Sequence, residues 1–151
     1  MEFVTELTAR LENKPGRLAK ICAALAREKI NIRALSVMDT DERSVLRMVV
    51  DQVEPTRKVL TSLGVESSAD EVLAVEMDNR PGSLTRILEA IAAEHINIEY
   101  VYVSAASAPG KSLGIFHTAN PKGVLQLLTA SSASASESGS SQQGRRPLHS
   151  R

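Results

Sequence analysis

Residues 77 to 101 repeat residues 11 to 35 without a gap, and this duplication limits the possible folds more than any other feature of the chain. The two stretches agree at eleven of twenty-five positions, where unrelated sequences would match at roughly one or two. A chain of 151 residues has room for one ordinary domain or two small ones, and the repeat favours two units of about 65 residues. Units of that size bury only about 60% of the surface that their unfolded chains expose. Each is therefore marginal alone, and the two are expected to pack together or to dimerise.

Both copies share one local pattern. An alternating strand pattern runs into Asn-x-Pro-Gly and is followed by an apolar stripe at helical spacing: Leu18, Ile21, Cys22 and Leu25, then Leu84, Ile87, Leu88 and Ile91. Pro15 and Pro81 suit the first helical position, which needs no N–H. Asn13 and Asn79 stand where an amide oxygen caps or turns the chain. Gly16 and Gly82 are costly inside a first helical turn, by about 1 kcal/mol against alanine. Two explanations stand side by side: a ligand or backbone approaches too closely for a Cβ, or the helix packs tightly on a strand. On the first, free N–H groups and the helix dipole would receive a carboxylate or phosphate.

Strand, Asn-x-Pro-Gly-x-Leu, helix and then Ile-Asn-Ile opening the next strand resemble the ACT domain, a small regulatory module attached to many enzymes of amino-acid metabolism. The resemblance spans roughly residues 2 to 130 and is carried by Asn13 to Gly16 with Ile30 to Ile32, and by Asn79 to Gly82 with Ile96 to Ile98. It implies a tandem of regulatory units that bind an amino acid at Asn13, Pro15, Gly16, Asn79, Pro81 and Gly82. It also implies that Asn31 and Asn97 reach a ligand across the boundary from a neighbouring unit. The alternative for those two is a turn residue that tolerates a left-handed backbone after a helix. Serine-binding members carry histidine two residues before the motif Asn. Leu11 and Met77 in that place imply an apolar lining and an apolar amino acid.

In chain order the pattern predicts strand, helix, strand, strand, helix, strand. The segments are Phe3–Glu12, Pro15–Lys29, Asn31–Met38, Ser44–Asp51, a short helix from Glu54 that stops at Gly64, and a weak strand Val65–Ala69. This is the ferredoxin-like plan of the α+β class, an antiparallel sheet with both helices on one face. The near-continuous apolar run from Val45 to Val50 marks a central strand. The second unit begins with a strand at 71 to 77 and continues through Ile98–Ser104, Leu113–Thr118 and a helix from Pro121. The predicted domains are 1–69, 70–130 and a serine-rich, disordered tail over 131–151. That tail contains no final strand for the second unit. Val72 to Met77 should then present an unpaired edge, which predicts self-association there.

Lysine plus arginine equal aspartate plus glutamate at eighteen each, so no global charge draws the chain to nucleic acid or an anionic membrane. Cys22 is the single cysteine, expected to be a buried inert thiol, and neither a disulfide nor a cysteine-built metal site follows from it. His95, His117 and His149 lack metal-ligand spacing, and no convergent nucleophile, base or phosphate loop is present. Neither an apolar span nor a signal peptide is visible, which makes the cytoplasm the expected location. The expectation is a non-enzyme without cofactor or metal. It would sense a small amino acid in trans, and its macromolecular partner would be a second copy or an enzyme. A different class is a regulatory or structural subunit without useful ligand affinity. That reading draws on resemblance to the acetolactate synthase small subunit, in which only the opening half is an ACT unit. A minor third is RNA binding, which uses sheet aromatics; Tyr100 and Tyr102 share one sheet face.

Overall fold

The computed structural model of the protein describes residues 1–40, 43–106 and 108–137. Its elements are β1 (Glu2–Glu12), α1 (Arg17–Arg27), β2 (Ile32–Asp39), β3 (Arg43–Val50), α2 (Val53–Ser62), β4 (Ser67–Asp78), α3 (Ser83–Ala93), β5 (Ile98–Ala105), β6 (Lys111–Thr118) and α4 (Pro121–Glu137). All six strands form one antiparallel sheet in the order β2-β3-β1-β4-β6-β5. The 66-residue shift carries β1, β2 and β3 onto the end of β4, β5 and β6, so the order reads alike from either edge. A local twofold passes through the paired residues Thr5 and Glu71.

This topology corrects the expected bare edge. The segments predicted as two strands, 65–69 and 71–77, merge into the single strand β4: no glycine or proline interrupts them, and Ser68 and Asp70, turn-type residues, are held in the ladder by pairing with Thr8 and Glu6. Position 69 falls inside it. Ser67 to Ala74 pair with β1 and Leu73 to Asp78 pair with β6. Val72, Leu73 and Ala74 meet Val4, Phe3 and Glu2 on the side that was expected to be open. The first unit thus lends β1 to the second and takes the start of β4 in return, which removes the reason for self-association through that edge. α4 runs on to Glu137, past Ala130 where the apolar stripe ends; the rest of the expected tail, including His149, lies outside the described residues.

The four helices cover one face of the sheet over two cores. Leu7, Leu11, Ile21, Leu25, Leu46 and Leu60 belong to the first, and Leu73, Val75, Ile91, Phe116 and Val124 to the second. A third core, of Val49, Val72, Ala74, Leu113 and Ile115 with Ala34, lies on the helix-free face. No helix is needed there, because the sheet coils until its edge strands β2 and β5 lie against each other. The apolar runs of β3 and β4 are consequently buried on both faces. Cys22 is half-buried rather than buried.

The two motif helices, α1 and α3, start and stop differently from the expectation, while α4 opens at Pro121 and Gly64 ends α2 as expected. Lys14 to Arg17 form a β-turn, with the Arg17 N–H donating to the Lys14 carbonyl at 3.3 Å, and Ser83 donates to Arg80 at the same distance. Pro occupies the second turn position and Gly the third, at φ 81° for Gly16 and 86° for Gly82, as a type II turn demands. Nothing lies within 4 Å of a Cβ built on either glycine. Backbone conformation, not close approach by another part of the chain, requires them. The prolines precede the first helical position, and Asn13 caps nothing: its Nδ2 donates to Asp39 Oδ1 at 3.2 Å.

At the other ends, Ile30 and Ile96 donate to Leu25 and Ile91, while Lys29 and His95 donate to Ala26 and Ala92. These are Schellman closures. The left-handed residues are Lys29 (φ 57°) and His95 (φ 56°), not the asparagines two places later. A side chain pays for that conformation, so Lys29→Gly and His95→Gly should each add about 0.5–1 kcal/mol and raise the melting temperature by about 2–4 °C. An unchanged or lowered melting temperature in both variants would contradict the closure geometry.

Candidate functional site

Because β1 and β4 run in opposite directions, the Asn13–Gly16 and Asn79–Gly82 turns leave opposite ends of the sheet, roughly 40 Å apart by strand rise. β2 runs parallel to β1, with β3 between them, and β5 runs parallel to β4, with β6 between them. Asn31 at the head of β2 therefore lies at the end of the sheet that bears Asn79, Pro81 and Gly82. Asn97, before β5, lies at the end that bears Asn13, Pro15 and Gly16. The two repeats exchange their motifs.

At the Asn31 end the coiled sheet leaves a hollow of about 220 Å³, lined by Asn31, Arg33, Glu76, Leu113 and Ala105–Ala106. Asp51 at the end of β3 holds the Asn31 backbone: its Oδ1 accepts the Asn31 N–H at 2.9 Å, and its own N–H donates to the Asn31 carbonyl at 3.1 Å. The Asn31 carboxamide itself meets no hydrogen-bond partner among the described residues. Arg33 Nη2 pairs with Glu2 Oε1 at 2.5 Å, so the rim carries both signs of charge. The 79–82 turn continues from β4 just past Glu76, tethered by the Asn79 N–H to the Gly110 carbonyl at 2.9 Å. Beside it, Lys111 at 2.7 Å and Arg80 at 3.1 Å hold the Asp78 carboxyl below the usual range. Leu11 and Met77 are buried in the helix-side cores. The apolar part of the hollow's lining comes instead from Ile32, Leu113 and Ala105–Ala106, next to the charged Arg33 and Glu76.

In the twofold-related half, part of the concave face is filled by the chain's own side chains. Where the first repeat has Ala34 and Ser36, the second has Tyr100 and Tyr102. Both phenols donate to Glu6, Tyr100 to Oε1 and Tyr102 to Oε2 at 2.6 Å. The Glu6 carboxylate is fully buried. Arg47 lies over the Tyr100 ring at 4.2 Å, with its Nε 3.9 Å from Glu6 Oε1, within ion-pair reach but without a hydrogen bond. His117 stacks on Tyr100 at 4.7 Å and places Nδ1 2.9 Å from Glu99 Oε2. Burial first, and then the hydrogen bonds to Glu6, push both phenols above the ordinary tyrosine value. With their hydroxyls and faces engaged, Tyr100 and Tyr102 offer no stacking platform for bases, which removes the RNA reading. Asn97 lines neither this hollow nor the larger one at its own end of the sheet.

Glu6→Ala would strand Arg47 and two phenols, and should cost about 3–5 kcal/mol in urea unfolding; Tyr102→Phe should cost about 1–2 kcal/mol. The phenols ionise first in the unfolded chain. Their contribution is therefore complete below pH 10 or so and is lost as pH rises beyond it. The Tyr100→Phe/Tyr102→Phe double variant should show a flatter loss of melting temperature above that pH. Parallel alkaline profiles in variant and parent would contradict the Glu6 bonds.

Of the residues that sequence reasoning singled out, Asn31 alone lines this hollow, while Asn79 to Gly82 lie at the same end of the sheet and Asn13 to Gly16 and Asn97 at the other; Arg33, Glu76 and Glu6 were not singled out. Alternation along β1, where Val4, Glu6, Thr8 and Arg10 share the concave face, carries a signal for Glu6. The exchange between repeats, which positions Glu76 and Arg33 together, has no local sequence signal. Among the described residues, no group of histidine, cysteine or carboxylate side chains could hold a metal ion, and no helix is long and apolar enough to cross a membrane.

Known proteins match this arrangement. The acetolactate synthase small subunit of Mycolicibacterium smegmatis is 24% identical over 86% of this chain and 89% of its own. The similarity thus runs through both halves, where the sequence comparison above had confined it to the first. A Bacteroides thetaiotaomicron protein of solved structure superposes with a TM-score of 0.78 at 27% identity, over 86% of this chain and 89% of the other. The regulatory subunit of aspartate kinase from Thermus thermophilus shares the fold, with a TM-score of 0.62 at 14% identity over 86% and 97% of the two chains. The family model for an ACT domain pair matches residues 2–133, and the chain belongs to that family.

Proposed function

We propose that this protein is a non-catalytic regulatory module of the cytoplasm that senses a small amino acid and acts on an enzyme of amino-acid metabolism. The observation that carries this is the hollow beside Asn31, whose backbone Asp51 holds in place and whose lining and rim carry charges of both signs. A zwitterion suits it: Glu76 would take the ammonium, Arg33 and Asn31 the carboxylate, and Leu113 with Ala105 and Ala106 a short side chain. The Asn79–Gly82 turn, which starts three residues after Glu76, would complete the site from the other repeat. The opposite end, with Asn13 to Gly16 and Asn97, has the same motif but carries Tyr100 and Tyr102 in the related space. The proposal is therefore one amino acid per chain, at the Asn31 end.

A second reading keeps the regulatory role without the ligand. It is favoured by the curated relatives, which are named as small subunits of acetolactate synthase, and by the aspartate kinase regulatory subunits that share the fold. Calorimetry against the twenty amino acids separates the two. The sensing reading expects one saturable site per chain, lost in Asn31→Ala and retained within about twofold in Asn97→Ala, with both variants folded. Equal loss in the two variants would contradict the single site. No binding by any amino acid, together with capture of a synthase or kinase catalytic chain, would replace the sensor by the subunit.

A further inference from the structure

The coiled sheet has a second mouth, at the end of β1 away from the amino-acid hollow, and its chemistry is the reverse of the first. Thr8, Arg10, Arg43, Glu66, Ser67 and Ser68 line an open hollow of about 600 Å³. The local twofold matches these to residues around the first mouth: Thr8 to Ala74, Arg10 to Glu76, and Ser67 and Ser68 to Met1 and Glu2, which all line its outer part. An acidic rim in one half is thus basic and hydroxyl-bearing in the other.

Arg10 faces Val45 across β1 and β3, and Arg43 sits two residues further on, opposite Glu12. The two guanidinium groups are diagonal neighbours on one sheet face, where like charges repel. Neither has a carboxylate within ion-pair distance among the described residues. Glu12 is engaged with Lys14 at 2.7 Å, and Glu66, the one acid in the lining, pairs with neither arginine. Arg33 at the first mouth has its partner in Glu2. The basic mouth therefore holds two guanidinium forks without an ion pair, beside the hydroxyls of Thr8 and Ser68 on the same sheet face.

We infer that this mouth is a binding site for the phosphoryl group of a small metabolite. Two guanidinium forks with Thr8 and Ser68 supply more donors than a single carboxylate can accept, and match a phosphate dianion. The hollow is nearly three times the volume of the first, enough for an organic body behind the phosphate, and Glu66 on its rim accepts hydrogen bonds from hydroxyl groups of that body. The site shares no lining residue with the amino-acid hollow and does not rest on the function proposed for it.

The test is an amide NMR titration of the full chain with inorganic phosphate and with AMP, at constant ionic strength set by sodium chloride. Saturable shifts at Thr8, Arg10, Arg43 and Ser68 below about 10 mM, weakened about tenfold or more in Arg10→Gln/Arg43→Gln, are expected. Tighter binding of AMP than of phosphate assigns the organic body to the hollow, and equal binding assigns the phosphoryl group alone; both support the site. The double variant alters exposed side chains, and its dispersed spectrum and unchanged amino-acid titration serve as its folding control. Absence of shifts with either anion, or the same shifts in the double variant, would overturn the inference.

Discussion

Strand β1 lies hydrogen-bonded between β3 and β4, so the same eleven residues close the sheet of both repeats. Two ferredoxin-like units usually need a first and a last strand each. Here the N-terminal half of β1 stands in for the last strand of the second unit, and the N-terminal half of β4 for the last strand of the first. The pairing fixes the local twofold at Thr5 and Glu71, and with it which loops meet at each end of the sheet. Coiling brings β2 and β5 together and buries a third core that needs no helix. Neither repeat has a complete sheet by itself.

Duplication supplied two equivalent ends, and substitution within the coil made them different. Where the first repeat has Ala34 and Ser36, the second has Tyr100 and Tyr102, which anchor on the buried Glu6. A buried carboxylate is tolerable because two phenols and Arg47 compensate it. This polar cluster ties β1 and β3 of the first repeat to β5 of the second, and so couples rigidity at one end to the shape of the other. Glu76 against Arg10 shows the same divergence at the rims. One fold symmetry therefore presents two unlike surfaces to solution.

Much of this was legible in the sequence. The periodicities of Phe3–Glu12, Asn31–Met38 and Ser44–Asp51 place three strands almost to the residue, and the apolar run at Val45–Val50 marks β3 as interior. Val72 to Val75 carry the same signal, which could have shown that β4 is covered on both faces. Pairing between β1 and β4 was not legible, because a period of two tells which face a side chain takes and not which strand lies beside it. For the same reason Asn31 was expected near a ligand without its surroundings, Arg33 and Glu76. The glycines singled out in both copies have a backbone cause that the local pattern did not show: they sit at the positive-φ position of the type II turns at Pro15–Gly16 and Pro81–Gly82, and the left-handed residues after the helices are Lys29 and His95.

The central claim is that exchanged strands make the two repeats one cooperative unit, and native-state amide exchange tests it most directly. Amides of Leu7 and Leu11 in β1, Leu46 and Met48 in β3, Val72 to Val75 in β4 and Ile115 and Phe116 in β6 should open at one shared free energy with one shared denaturant dependence. Two separate isotherms, with β3 and α1 in one and β6 and α3 in the other, would show that the repeats unfold independently and would contradict the account.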